Sequence, residues 1–384
     1  MGLWSKLAGA SEVIGIDIGS HSIKVVQLQE TRSGITLRKA GTKPTPPDGT
    51  KAGVITNSAA VAQAIRELMA ALEIEPCVAV AGVAGPAVVV RQVQLPSMSE
   101  RQLRRSIQWE ARNYISFPVE DSVLEFQILS ENGSGPQMEV MLVATPRDMV
   151  ETRVETLELA GLEPLALEIE PFAAMRSLVE YPSSVTTTGQ ETLALVGVGA
   201  SFTDINLVQS GRFVLTRMIP IAGNSLTEAI AGALALDNEK AENLKETAMK
   251  VVLGEEERAT LDPFAQQASR AVEPLLDELI REIRRSLAYY DYQRQGGEEA
   301  EKPAGVNRVL MSGGSARMDG LKDYLQTQLG VPVEVSNPFG DGQMSATGMS
   351  RDHLQAHSPS LVVGTGLALR EIMLGKRRSK GRSR

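Results

Sequence analysis

Two segments of this 384-residue chain read alike. IGIDIGSHSIKVVQL (14–28) and ALVGVGASFTDINLV (194–208) each run apolar strand, glycine-containing turn, apolar strand. One copy opens each half of the chain. A repeat at so wide a separation does not make a solenoid; it points to two related domains facing each other. Strand patterns interleaved with helical ones make the class α/β.

Each turn also has a chemistry. A tight turn between two strands aims several backbone N–H groups at one place, and glycine lets a ligand come close. Asp17-Ile18-Gly19-Ser20-His21-Ser22 fits this description. Two such turns on opposite walls of a cleft could hold a polyphosphate from both sides, and an acid at the end of the first strand, as Asp17 is, could hold Mg²⁺ through water. A third glycine-rich stretch, MSGGSARMDGL (311–321), lies between an apolar strand and a helix, where exposed N–H groups suit a phosphate or nucleoside. The chain has no GxxxxGK[ST] pattern, so it is no P-loop protein, and no GxGxxG with its distant acid.

Other features narrow the classes. With 42% hydrophobic and 22% charged residues the chain can pack a core. A net charge of −8 and 4% aromatic residues argue against a nucleic-acid binder. The single cysteine, Cys77, sits in an apolar run and reads as a buried small hydrophobe; no disulfide framework or thiolate metal site is possible. Three histidines, His21, His353 and His357, leave little for zinc. No run approaches the ~20 apolar residues of a membrane span. MGLWSKLAGA lacks a signal-peptide core, and Lys6 stands where a myristoylation site has Ser or Thr. A cytoplasmic protein is expected. The tail 376–384, with six positive charges, is expected to be disordered, either as a solubilising end or as a contact for anionic lipid or an acidic partner.

Strands are predicted at 13–18, 23–29, 36–40, 77–83 and 87–95. A helix follows the N-cap Asn57, with Val61, Ile65, Leu68 and Leu72 buried. Ser99 and Gln102 form a capping box for a helix whose Leu103, Ile107 and Trp109 are read as core. Strands at 123–129 and 138–144, joined by the loop NGSGP, and a helix at 147–160 complete an inserted unit of about 96–165. The segment 181–192 has linker composition. Beyond it come strands at 193–196, 203–208 and 212–219 and helices at 224–236, 239–252 and 264–294, with Pro274 bending the last or marking its first turns. A strand at 306–311, a helix at 319–329 and a short strand at 333–335 follow. The stretch 341–360 reads as irregular, and a last helix covers 366–374.

Taken in order, these motifs resemble the actin-like ATPase superfamily of actin, MreB, FtsA, sugar kinases and heat-shock chaperone ATPases. DIGSHSIK (17–24) is similar to its first phosphate motif, GVGASFTD (197–204) to the second, and MSGGSARMDGL to the adenosine motif. EPFAAM (170–175) and GTGLALR (364–370) are similar to its two connecting helices. SERQLRRSIQWEARNYISFPVEDSVLEFQIL and AGNSLTEAIAGALALDNEKAENLK are very similar to the PilM family of type IV pilus assembly, an FtsA-related group. The resemblance implies two related domains around a nucleotide cleft, with an FtsA-type subdomain 1C in the first. Domain 1 would cover 1–190 (1A at 10–95 and 166–190, 1C at 96–165). Domain 2 would cover 191–363, with 2B at 224–300, and 364–375 would return to domain 1.

The resemblance also implies ATP and Mg²⁺ as cofactors. Gly19, Ser20, His21, Ser22 and Lys24 would serve the phosphates from one side, and Gly199, Ala200, Ser201 and Thr203 from the other. Gly223, Glu242, Lys245, Gly313, Gly314, Ser315 and Arg317 would complete the nucleotide site. Asp17 would hold Mg²⁺ and Glu170 would position the attacking water. It further implies docking of the cytoplasmic N-terminal peptide of the inner-membrane protein PilN between 1A and 1C, an indirect link to PilO, and a place on the cytoplasmic face of the inner membrane. Glu170 otherwise reads as a helix N-terminal acid, His21 as a solvent-facing hairpin residue, and Lys24 as facing either cleft or water. The chain departs from the pattern at Gly197, where relatives carry Asp. Asp204 is close, but its strand position is expected to aim it elsewhere, so slow or absent hydrolysis is predicted. A small-molecule kinase and an FtsA- or MreB-like filament are the rival functions.

Overall fold

Val13–Ile18 is buried from Ile14 onward and Thr192–Val198 is buried throughout, as central strands covered on both faces must be. The computed structural model describes residues 13–32, 34–130, 136–181, 191–294, 305–340, 344–346 and 351–381. The expected NGSGP loop falls mostly outside them, as do most of the 181–192 linker and the segment 295–304.

The first half runs β1 (Val13–Ile18), β2 (Ser22–Thr31), β3 (Gly34–Pro44), two-residue β4 (Thr50–Lys51) and β5 (Val54–Ile55), α1 (Ser58–Ala71) and β6 (Val78–Val83). A detour follows: β7 (Val89–Pro96), α2 (Glu100–Ala111), β8 (Ser122–Ser130), β9 (Gln137–Pro146) and α3 (Arg147–Leu159). The chain returns through β10 (Glu163–Ile169) into α4 (Glu170–Met175). The second half runs β11 (Thr192–Val198), β12 (Thr203–Gln209), β13 (Arg212–Ile219), α5 (Gly223–Leu234), α6 (Asn238–Thr247), α7 (Glu255–Arg258), α8 (Pro263–Arg294), β14 (Val306–Ser312), α9 (Leu321–Leu329) and β15 (Val333–Val335). Then come β16 (Met344–Ala346), α10 (Arg351–His357) and α11 (Val362–Gly381).

The sequence echo is a duplicated sheet. One sheet is ordered β3-β2-β1-β6-β10, with β16 added outside β3; the other is ordered β13-β12-β11-β14-β15. In each, the first three strands are antiparallel neighbours and the next two join in parallel. The hairpins share a register: Asp17 faces Lys24, and Gly197 faces Asp204.

Local signals account for several elements. Asn57 caps α1 by accepting from the Ala60 N–H. Ser99 and Gln102 form the capping box of α2, a device worth about 1 kcal/mol. Leu103, Ile107 and Ala111 of α2 pack on Val93, Val140 and Leu142. Trp109, expected in that core, is 69% exposed. It lies two residues beyond Ile107, roughly 200° around the helix from that stripe.

Tertiary pairing moves other boundaries. β7 pairs with β9 in a three-stranded sheet β7-β9-β8, so the detour begins before residue 96. α3 belongs to the first half's core, where Leu157 meets Val61, Ile65 and Leu68 of α1. Cys77 is only half-buried at the edge of that core. Pro274 lies inside α8 rather than in its first turns. The stretch expected to be irregular supplies β16, which pairs with β3, so the chain rejoins the first sheet before residue 364. α11 starts at Val362 and continues through Gly381, across most of the tail expected to be disordered. Lys and Arg are good helix formers, and nothing in KRRSK stops a helix already begun.

α4 and α11 cross with almost no space between backbones. A Cβ on Gly366 would lie 1.8 Å from the Ala173 carbonyl oxygen, and one on Gly15 would lie 2.1 Å from that of Gly364. Arg176 Nη1 spans the crossing, donating to Glu168 Oε2 at 2.6 Å and to the Gly366 carbonyl at 2.9 Å. Phe172 of α4 meets Phe213 of β13 edge-on, with centroids 5.0 Å apart. Of these contacts, the Phe172–Phe213 pair reaches from the first half to the second sheet.

Candidate functional site

The cleft opens where the two hairpin turns face each other, and it encloses about 250 Å³. The turns are closed alike: Gly19 N–H donates to the Ser22 carbonyl and Gly199 N–H to the Phe202 carbonyl, both at 3.1 Å. They touch at their tips, where Ser201 Oγ donates to Ser20 Oγ at 2.8 Å. The second turn is held from behind by α5, whose Gly223 and Asn224 N–H groups donate to the Gly199 and Ala200 carbonyls.

Charged groups converge on the space between. Asp17 is buried and pairs with Lys24 Nζ at 3.1 Å, so Lys24 faces the cleft. Glu170 enters from the first residue of α4. Burial, with Asp17 nearby, pushes its carboxyl up to about 8, against the pull of Arg153 and Lys24. Arg153 is 1% exposed. Its Nε donates to the Gly82 carbonyl at 2.8 Å and its Nη1 to that of Met149 at 3.1 Å. Burial lowers its pKa while Glu170 and Asp17 support its charge. Asp204 also lines the cleft, and burial raises its carboxyl to about 7 although Asn206 hydrogen-bonds it.

On the far wall, Lys245 is buried and donates to Glu242 at 2.6 Å, to Thr227 Oγ1 at 2.8 Å and to the Gly223 carbonyl at 3.1 Å. Burial works against ionising Glu242, but hydrogen bonds from Lys245 and Thr227 outweigh it and hold the carboxyl low. His21 is exposed at the cleft mouth, and its ring lies within 4.8 Å of carboxylate oxygens of Glu242 and Glu246 of α6. Gly313 takes a positive φ of 93°, and a Cβ there would meet the Val198 carbonyl at 2.3 Å. Ser315 Oγ donates to the Gly199 carbonyl at 3.4 Å, and Arg317 Nη1 lies 3.2 Å from His357 Nδ1.

The structure brings together every residue expected at the site except one. Thr203 is fully buried, and its hydroxyl donates to the Ile221 carbonyl at 2.7 Å, so it braces the turn and offers nothing to the cleft. Asp204 was expected to aim elsewhere. It instead fills the room beside Gly197, because residues opposite each other in an antiparallel pair share a face. Sequence reasoning missed Arg153. The signal was present: with Met149, Thr156 and Leu157 it occupies the buried stripe of α3, where an arginine has no ordinary reason to be. Asn224 and Glu246 also line the cleft unannounced.

The residues suit a magnesium nucleotide. Backbone turns and Lys24, Arg153 and Arg317 offer donors to phosphate and sugar oxygens, Lys245 adds a positive charge whose own donors are taken within the protein, and Asp17 offers a hard oxygen to a hydrated dication. A Mg²⁺ held there would supply charge neutralisation for the phosphates.

The sequence profile described as "Type IV pilus assembly protein PilM" matches residues 15–372. The chain belongs to the PilM family. A solved "PilM-PilN type IV pilus biogenesis complex" superposes with a TM-score of 0.78 at 28% identity, covering 94% of this chain and 98% of that one. FtsA of Pseudomonas aeruginosa is 26% identical over 371 residues, 85% of this chain and 83% of the relative. MreB 5 of Spiroplasma citri, solved with AMPPNP, is 11% identical with a TM-score of 0.51 over 97% of this chain and 99% of its own, a likeness of fold. The PilM-family chain thus has the actin-like fold and the FtsA relationship that its motifs implied. Among the described residues no helix is long and apolar enough to cross a membrane.

Proposed function

We propose that this protein is an ATP-loaded adaptor of the type IV pilus assembly machine, holding the cytoplasmic N-terminal peptide of PilN between its first lobe and the inserted three-stranded unit. The observation that carries the nucleotide half is the pair of register-matched turns facing across one cleft, with Asp17 at the end of the first strand. Gly19, Ser20, His21, Ser22 and Lys24 serve the phosphates from one wall, and Gly199, Ala200 and Ser201 from the other. Gly223, Glu242 and Lys245 meet the sugar side, and Gly313, Gly314, Ser315 and Arg317 the base. Asp17 holds Mg²⁺ through water. Burial and Asp17 favour a proton on Glu170 in the nucleotide-free cleft, a proton that it would have to lose before acting as a base, which fits slow turnover.

The docking half rests on the likeness to the PilM–PilN complex and on the surface of the inserted unit. Trp109 is exposed there with Arg112 over its ring, and Arg104 covers Phe126 beside a depression lined also by Arg105 and Gln108. PilN would carry the adaptor to the cytoplasmic face of the inner membrane and connect it to PilO. A fluorescent peptide copying the PilN N-terminus is expected to bind, with an affinity that changes when ATP and Mg²⁺ are added. Absence of binding in both nucleotide states would overturn the docking.

A further inference from the structure

The two hairpins match in register, yet their acids sit on opposite strands. Asp17 lies on β1 and faces Lys24; Gly197 lies on β11 and faces Asp204. Facing positions of an antiparallel pair look onto the same side of the sheet. Asp204 therefore reaches the side that a residue at 197 would reach. A Cβ built on Gly197 would lie 2.4 Å from Asp204 Oδ1 and 2.9 Å from its Cγ. Glycine is what allows the Asp204 carboxylate to lie there.

That carboxylate is aimed. Its Oδ2 accepts from Asn206 Nδ2 at 2.6 Å, and Asn206 Oδ1 accepts from Thr216 Oγ1 at 2.7 Å. Asn206 is fully buried, so its amide is fixed by the Thr216 bond. Asp204 lines the same cleft as Asp17 and Glu170, from the second half of the molecule. These acids act on one another: Asp17 disfavours ionisation of Asp204, and Asp204 that of Glu170.

We propose that Asp204 is the second half's acidic partner to the hydrated divalent cation that accompanies a nucleoside triphosphate, a place that the duplication assigns to position 197. This rests on the nucleotide reading above. Asp17 and Asp204 then grip the cation's water shell from opposite halves of the molecule, and the Thr216–Asn206 pair holds the second grip in line.

Titration calorimetry of ATP with and without Mg²⁺ tests this. Asp204→Asn keeps the shape and still accepts from Asn206. It is expected to lower ATP affinity roughly 10–100-fold in Mg²⁺, the usual loss at a metal's supporting shell, and to leave affinity in EDTA unchanged. Moving the acid across the ladder, in Gly197→Asp with Asp204→Ala, is expected to restore most of the Mg²⁺ dependence. An Asp204→Asn protein that keeps the full Mg²⁺ gain would overturn the proposal while the nucleotide reading stands. A wild-type protein that takes up no ATP in either buffer would overturn both.

Discussion

Gly366→Ala is expected to cost the protein about 3 kcal/mol or more, the upper range for forcing an atom into a packed interior. The added methyl would lie 1.8 Å from the Ala173 carbonyl oxygen. That oxygen belongs to α4, so it can retreat only if the helix moves. α4 in turn is held by Phe172 against Phe213 of the other half. The same change nine residues on supplies the control. Gly375 also lies in α11, and a Cβ there meets nothing within 4 Å. Gly375→Ala should stabilise by up to about 1 kcal/mol through helix propensity alone. Urea unfolding of the two variants reads the difference directly. Equal shifts would mean that the crossing is not close-packed.

The second large effect concerns pH. The nucleotide-free protein is expected to gain stability as pH falls from 8 towards 6. Burial and Asp17 raise Glu170 from 4.5 to about 8, and burial raises Asp204 from 3.8 to about 7. Between the unfolded and folded values the native state keeps a proton that the unfolded chain has released. Stability from these groups is therefore fully present below the unfolded values and is lost as pH climbs through the folded ones. A fully contributing group gives about 1.4 kcal/mol per pH unit, and coupling spreads the titration of the two acids, so the expected slope is roughly 1 near pH 8 and steepens to about 2 towards pH 6. Glu170→Gln keeps the shape without the charge. It should flatten the profile and raise stability at pH 8 by about 2 kcal/mol, a fraction of the full linkage. The same variant should bind ATP and fail to hydrolyse it, because a primary amide cannot act as a base towards water. Chemical denaturation at pH 6, 7 and 8 checks the first part; a Glu170→Gln profile as steep as that of the wild type would show that the proton resides elsewhere.

Much of this was readable in the residues, and the misreadings share a cause. The duplicated hairpins were legible because strand periodicity and a glycine turn are local signals, and so were the Asn57 cap and the Ser99 capping box. Trp109 was misplaced because a short helix in a polar sequence shows its buried stripe only once its sheet is known. β7 read correctly as a strand, yet its partner β9 lies across α2 and β8, and pairing over that distance leaves no local mark. Asp204 was within reach: counting the hairpin register from its turn puts it opposite Gly197, on the same face. Thr203 follows from the same count, since its neighbour's side chain points the other way. Arg153 was harder. Its place in a helical stripe was visible, but its nearness to Glu170 and Asp17 depends on how α3 docks against β6, where Gly82 receives its Nε.

The most direct test of the central claim uses protein purified without added nucleotide. Bound nucleotide is released and identified, ATP and Mg²⁺ are then supplied, and the fate of the ATP is followed for hours beside Asp17→Ala. The expected result is ATP retained largely uncleaved by the wild type and lost by the variant, in which Lys24 has no acid opposite it and the cation has lost its first-half partner. No nucleotide in either preparation, and none taken up on loading, would contradict the assignment of the cleft.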